Sequence, residues 1–362
     1  MIYGGLRSLA LRFPSRVVTN SHWHEHHPDM VAQLEQSALN RTWSPGDEPK
    51  SVFDATMRPY LADPFRGCKQ RYWLADGESE TKLEADAGRD ALAAAGLDVS
   101  DVDYLMVGSF PPPQINVGNA AYVARELGVR CPSVNVEATC SSTLIALQLA
   151  CALIQSGQAK CVLSINSCWY SRPAPSDEVV SIANGDGVCA MVVTQVDEPF
   201  LLAAHTINTS STCDALRYEL DLKDGKPCVR MRLQRHAGRV IREAAERCLK
   251  ECVHGALDRA NVSEDAIRFF GFNAAAAWLV PFSVATLGID PERTINTHST
   301  FANTGPVLVP TSLFYGAKAG QFGPSDTVMM FGIGNTSNAS AMVVRWGKVA
   351  LAATPVPLLD PI

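Results

Sequence analysis

The 362-residue chain has no surplus of positive charge: 31 Lys and Arg stand against 37 Asp and Glu, a formal net charge of -6. No basic field surrounds it to draw in a phosphate backbone, so nucleic acid is not expected as a partner. Long apolar runs are missing as well. The longest, Leu144 to Ile154 with one Gln inside, falls short of the roughly 20 residues a membrane span needs and predicts a buried core helix, with no membrane association. The 11 cysteines include no Cys-x-x-Cys pair and no regular spacing, which argues against a disulfide scaffold and a structural zinc site. The first residues carry neither a basic leader with an apolar stretch nor a small-residue cleavage site, from which a cytoplasmic location is expected. What is present, 47% hydrophobic and 19% charged residues, is the composition of a compact folded protein long enough for two structural units.

The chain repeats itself. Val99 to Gly108 resembles Val262 to Gly271, each a polar turn running into a buried strand, and Leu127-Gly-Val129 recurs as Leu287-Gly-Ile289. Gly185-Asp-Gly187 followed by Ala190-Met-Val-Val193 is echoed by Gly332-Ile-Gly334 followed by Ala341-Met-Val-Val344. Three matches in the same order, at similar offsets, predict two homologous α/β halves, residues 1–197 and 198–362. Helical patterns such as Thr81 to Ala95 and Arg239 to Ala260 alternate with β-branched strands such as Cys161 to Ile165, as in strand–helix–strand units on a largely parallel sheet. Residues 36–71, rich in Pro and charge, have no counterpart in the second half and are expected to be an insertion carrying short helices.

In the first half, the strand Ser133 to Val136 leads through Glu137-Ala-Thr-Cys140-Ser-Ser-Thr143 into the apolar helix. Cys140 therefore sits at a strand-to-helix junction, where free N–H groups and the helix dipole are expected to lower a thiol pKa from about 8.5. The related junction in the second half, Thr297-His-Ser-Thr-Phe-Ala-Asn303-Thr-Gly, is the pseudo-twofold mate of that loop. If the halves pack about such an axis, His298 or Asn303 comes near the Cys140 sulfur, where a polar group can orient a thioester carbonyl or an enolate oxygen.

Six elements, Arg16-Val-Val-Thr-Asn20, Gly67-Cys-Lys-Gln-Arg71, Glu137-Ala-Thr-Cys-Ser-Ser142, Asn184-Gly-Asp-Gly187, Ala302-Asn-Thr-Gly305 and Phe331-Gly-Ile-Gly334, stand in this order. In that order the chain resembles β-ketoacyl-acyl-carrier-protein synthase III and its relatives in the thiolase superfamily. The resemblance implies a thiolase-like fold layered α-β-α-β-α and a ping-pong acyl transfer. An active-site Cys takes an acyl group from a coenzyme A or carrier-protein thioester and passes it to a second substrate, with no permanently bound cofactor or metal. Cys140 matches the nucleophile, Asn303 the Asn of the family's Cys-His-Asn set, and Gly334 the glycine whose N–H joins that of Cys140 in an oxyanion hole. A homodimer joined edge to edge is implied too, with Asn116 to Val123 as a contact region.

The family's His is expected just after the second-half strand Arg268 to Phe272, where this chain has Asn273-Ala-Ala-Ala-Ala-Trp278. Asn273 in that place can donate a hydrogen bond but cannot relay a proton. A malonyl-type acceptor, decarboxylated with hydrogen-bond donors alone, remains compatible with this. A hydroxyl, amine or plain carbon acceptor needs another base, and His298 is the nearest candidate, its alternative being a loop histidine bonded to backbone. Such departures suggest a specialised acyltransferase of polyketide or fatty-acid-related biosynthesis; the competing reading is a non-catalytic subunit of a heteromeric complex. Phe53, Met57, Tyr60 and Phe65 of the insertion either line an altered donor pocket or anchor the insertion. His22 and His26 stand one helical turn apart without a third ligand, and Asp186 is expected to be structural.

Overall fold

The computed structural model describes residues 2–39, 48, 51–114, 116–174, 176–213, 215–223, 225–234, 237–334 and 337–360. In chain order the strands are β1 (Tyr3–Arg12), β2 (Arg16–Thr19), β3 (Gln70–Trp73), β4 (Tyr104–Phe110), β5 (Ser133–Asn135), β6 (Cys161–Trp169), β7 (Asp186–Val196), β8 (Leu201–Asn208), β9 (Leu216–Lys223), β10 (Lys226–Leu233), β11 (Phe269–Phe272), β12 (Thr327–Ile333), β13 (Asn338–Arg345) and β14 (Ala350–Leu351). The helices are α1 (Ser21–His26), α2 (Pro28–Leu39), α3 (Val52–Met57), α4 (Glu80–Ala95), α5 (Ala120–Leu127), α6 (Ser142–Gln155), α7 (Ala237–Ala260), α8 (Leu279–Leu287), α9 (His298–Phe301) and α10 (Leu308–Lys318).

Two sheets carry the duplication. In the first, the order is β14-β1-β7-β6-β4-β5, and in the second β11-β12-β13-β8. β4 runs parallel to β6, β6 antiparallel to β7, and β7 antiparallel to β1. The second sheet repeats this pattern, with β11 parallel to β12, β12 antiparallel to β13 and β13 antiparallel to β8. The first anchor pair of the sequence leads into β4 and β11; the second ends α5 and α8, each closed by a left-handed glycine, Gly128 or Gly288. The third pair is only half right. Ala190 and Ala341 occupy matching places on β7 and β13, but Gly185 to Gly187 opens β7 whereas Gly332 to Gly334 closes β12.

Strand alternation builds the layers. On β12, Val328 and Met330 join the central core with Leu144, Leu147 and Ile154 of α6 and Val309 and Leu313 of α10. Met329, Phe331 and Ile333 point the other way, onto α7 and α8. On β7, Met191 and Val193 face the central helices while Val188, Ala190 and Val192 face α4 and α5. The result is α4/α5, sheet, α6/α10, sheet, α7/α8, a thiolase-like α-β-α-β-α sandwich. The apolar run Leu144 to Ile154 is the buried α6, and no helix among the described residues is long and apolar enough to cross a membrane.

Within 36–71, residues 40–47, 49 and 50 lie outside the described part. The rest folds back on the body. Phe53 packs edge-on against Trp278 at 4.7 Å and Phe282 at 6.1 Å, and Phe65 is buried with Trp23 and Trp73. These two aromatics anchor the insertion. Asn20 caps no helix with its side chain; it donates to the Cys68 carbonyl and accepts from Arg71, which is buried against Trp23.

Candidate active site

Cys140 lies in a short 3-10 turn, Thr139 to Ser141, that enters α6. The preceding Thr139 has φ 51, a left-handed conformation that a β-branched residue adopts only under constraint. Its mate shares the feature: Ala302, just before Asn303, has φ 56. Each half thus holds its candidate residue on a strained elbow at the start of a central helix.

The two elbows meet. Thr143 on α6 donates to the Pro306 carbonyl at 2.7 Å, and Tyr170 at the end of β6 lies between the loops. Its Oη is 3.9 Å from Cys140 Sγ and 3.6 Å from where a Cβ would stand on Gly305. Asn303 is held by backbone bonds to Ala183 at 2.8 Å and Gly185 at 2.9 Å. Its Oδ1 accepts the Gly305 N–H at 3.0 Å, which leaves Nδ2 as the available donor.

Asn273 follows β11, and its N–H donates to the Phe331 carbonyl at 3.1 Å. The side chain is 1% exposed, and among the described residues neither of its amide atoms has a hydrogen-bond partner. An unpaired buried amide costs about 1–3 kcal/mol, so a hydrogen-bonding partner at this point would be favoured.

The expectations for three residues change. The Cys140 thiol is not lowered: burial pushes it up to about 11, the Tyr170 hydrogen bond opposes that, and the Glu137 charge adds to it. At neutral pH the resting sulfur is a thiol, although Cys140 is only partly buried while Cys168 beside it is fully so. His298 is no base. It is 1% exposed, its Nδ1–H donates to the Ala274 carbonyl at 3.0 Å, and burial pulls its pKa down to about 4. That bond ties His298 to the segment that carries Asn273, the geometry of the backbone-bonded alternative. Gly334 does approach the nucleophile turn, so closely that an added Cβ would stand 1.9 Å from Thr139 Oγ1. Its N–H, however, donates to the Asn338 carbonyl at 2.8 Å. Because N–H directions alternate along a strand, the N–H of Ile333 points away from β13, toward the side where Asn273 follows β11.

A cavity of about 590 Å³ is lined by Val136 and Glu137, which lead into the turn; Cys140 itself is not among its lining residues. Phe110, Pro111, Tyr218 and Val229 make an apolar wall, with Glu137 and Arg172 as its ionisable groups of opposite sign. Tyr218 packs edge-on against Phe110 at 5.4 Å, and Phe110 in turn lies 5.8 Å from Tyr170. Glu137 and Tyr170 are the residues that motif reading passes over. A carboxylate three places before the nucleophile was a usable signal; Tyr170, at the end of a buried strand, had none. Among the described residues no three His, Cys, Asp or Glu converge as metal ligands, and His22 and His26 stand as a pair 4.8 Å apart.

Residues 134–210 match the family described as 3-oxoacyl-[acyl-carrier-protein (ACP)] synthase III, residues 257–346 its C-terminal part, and residues 71–166 the thiolase N-terminal domain. The β-ketoacyl-[acyl-carrier-protein] synthase III of Rhodospirillum rubrum is 30% identical over 293 residues, 77% of this chain and 88% of the relative. That of Roseobacter denitrificans is 30% identical over 305 residues, 82% of this chain and 94% of the relative. The crystal structure of 3-oxoacyl-(acyl carrier protein) synthase III from Pseudomonas aeruginosa PAO1 superposes with a TM-score of 0.76 at 20% identity, covering 98% of this chain and all of that one.

Proposed function

The chain belongs to the β-ketoacyl-[acyl-carrier-protein] synthase III family and is an acyltransferase of ketosynthase III type, and from that premise we propose that Cys140 is its acyl carrier. The sulfur attacks the carbonyl of an acyl-coenzyme A or acyl-carrier-protein thioester, the donor thiol leaves, and the acyl group passes from Cys140 to a second substrate. One observation carries this reading: the nucleophile elbow and the Asn303 elbow face each other across Tyr170. Asn303 Nδ2 and the Ile333 N–H are the donors assigned to the acyl oxygen, a shift by one residue from Gly334. Asn273 is assigned to the second substrate, whose oxygen would be the partner that its amide lacks. The departure at Asn273, where the family has its His, favours a specialised acyltransferase over one that initiates primary fatty-acid synthesis.

Release of free coenzyme A, or of carrier-protein thiol, tests the donor step directly. One equivalent per chain in a burst with some acyl chain length is expected; no release with any donor of either kind would refute the function and favour a non-catalytic subunit.

Asn273→Ala separates function from folding. Removing an unsatisfied buried amide is expected to leave the thermal midpoint unchanged or higher, while transfer to the second substrate falls by about 100-fold. A parallel loss of stability and activity would mean that the amide is structural.

Two copies are proposed to join through the open β5 edge of the first sheet. Of the contact region, Asn119, Ala120 and Val123 are turned inward and buried, whereas Val117 is 59% exposed. Mass photometry should therefore give twice the chain mass, and a monomer at micromolar concentration would reject the pairing.

A further inference from the structure

The proposed chemistry leaves one proton without an acceptor. Asn273 and Asn303 cannot take it, and the one free ring nitrogen of His298 belongs to a buried imidazole of low basicity. We propose that Glu137 is the catalytic base of the second half-reaction. It follows that the acyl acceptor is a neutral molecule with an acidic O–H, N–H or C–H, held in the cavity that Glu137 lines. This rests on Cys140 being the acyl carrier.

The placement of the carboxylate supports it. Glu137 Oε1 accepts the Thr139 N–H at 2.6 Å and the Ser142 hydroxyl at 3.1 Å. These residues bracket Cys140, so the carboxyl group is pinned against the turn that presents the sulfur. It also forms part of the cavity wall. Malonyl-type substrates are poorly served there. The cation in that wall, Arg172, is already ion-paired with Glu80, and among the described lining residues no other Lys or Arg is present to hold a substrate carboxylate. Glu137 itself would repel one.

Glu137 is exposed at the cavity wall, and the protein packed about its carboxyl pushes it up to about 7, its hydrogen bonds opposing the shift, so it can both take and return a proton near neutrality. The titratable groups around it are Cys140 on its own turn, Cys168 and Tyr170 from β6, Tyr218 from β9, Cys228 from β10 and the paired Arg172. Burial drives the Cys140 and Cys168 thiols and both phenols upward, so these neighbours are neutral at pH 7.

The step closes on itself. As the acceptor's O, N or C atom bonds to the acyl carbon, its proton moves to Glu137. The carbon–sulfur bond then breaks, and the Cys140 thiolate recovers that proton from Glu137, restoring thiol and carboxylate. The base must be ionised, so the rate rises with pH through about 7 and is level above it.

Water, the smallest O–H acceptor, and hydroxylamine, which attacks thioesters without a base, are the probes. Acyl groups are loaded on Cys140 from acyl-coenzyme A, and their release is followed from mildly acid to mildly alkaline pH. The parent should release to water with a midpoint near 7. Glu137→Gln, which keeps the oxygen that accepts from Thr139, should slow release to water by about 100-fold or more and lose that midpoint, while release to hydroxylamine stays within about twofold. Glu137→Asp should retain the pH limb. Equal losses to both nucleophiles, or an unchanged water rate in Glu137→Gln, would overturn the assignment. If the parent takes no acyl group from any thioester, the proposed function fails. Acyl groups installed on Cys140 from p-nitrophenyl esters then still decide the role of Glu137.

Discussion

Cys140→Ala is expected to abolish covalent acylation: intact mass after incubation with an acyl-coenzyme A donor should equal that of the free chain, whereas the parent gains one acyl group. The expectation is specific because few other thiols compete. Cys68, Cys151, Cys161, Cys168, Cys189, Cys248 and Cys252 are buried, and burial holds the Cys151, Cys161, Cys189 and Cys252 thiols up to about 12. Only Cys213 is exposed, with Cys131 and Cys228 partly so. None of these three is at the nucleophile turn. A full acyl adduct on the Ala variant would therefore place the carrier elsewhere and remove the basis of the mechanism. Ala fills the Cys site without a clash, so the variant should fold, and its thermal midpoint checks that it does.

Asn303→Asp carries the second largest expected effect. The aspartate keeps the oxygen that accepts the Gly305 N–H, and the main-chain bonds to Ala183 and Gly185 are untouched. What changes is Nδ2, the donor proposed for the acyl oxygen, which becomes a negatively charged oxygen. Loss of one preorganised donor typically costs about 100- to 1,000-fold in rate, and a like charge beside a developing oxyanion adds to the loss. Burst release of coenzyme A should fall by at least that factor with little change in stability. A variant that reacts within tenfold of the parent would show that Asn303 only shapes the loop.

The duplicated fold is legible in the sequence because each half must solve the same packing problem. A polar turn before a buried strand, a left-handed glycine after a helix and the small-apolar pattern of β7 and β13 are local features, and local features survive as sequence signals. The two elbows are legible as motifs for the same reason. Their electrostatics are not. A helix N-terminus argues for a lowered Cys140 pKa, and the hydrogen bond to Tyr170 acts the same way, but burial and the carboxylate of Glu137 outweigh both, and burial is a tertiary property that the motif does not state. His298 reads as a free base until Ala274, 24 residues earlier, is seen to accept its Nδ1–H. The choice between Gly334 and Ile333 turns on which side of β12 each N–H faces, a matter of pairing register that no motif states. The hairpin β9–β10, which brings Tyr218 and Val229 to the cavity, left no such signal: its register, with Met231 opposite Tyr218 and Val229 opposite Leu220, is a matter of strand pairing that no motif states.

A crystal structure of the protein after reaction with an acyl-coenzyme A donor examines the site most directly. The account predicts continuous density from Cys140 Sγ to an acyl carbon, with the carbonyl oxygen about 3 Å from Asn303 Nδ2 and the Ile333 nitrogen. An acyl group attached to any other side chain, or a carbonyl oxygen turned away from both donors, would contradict it.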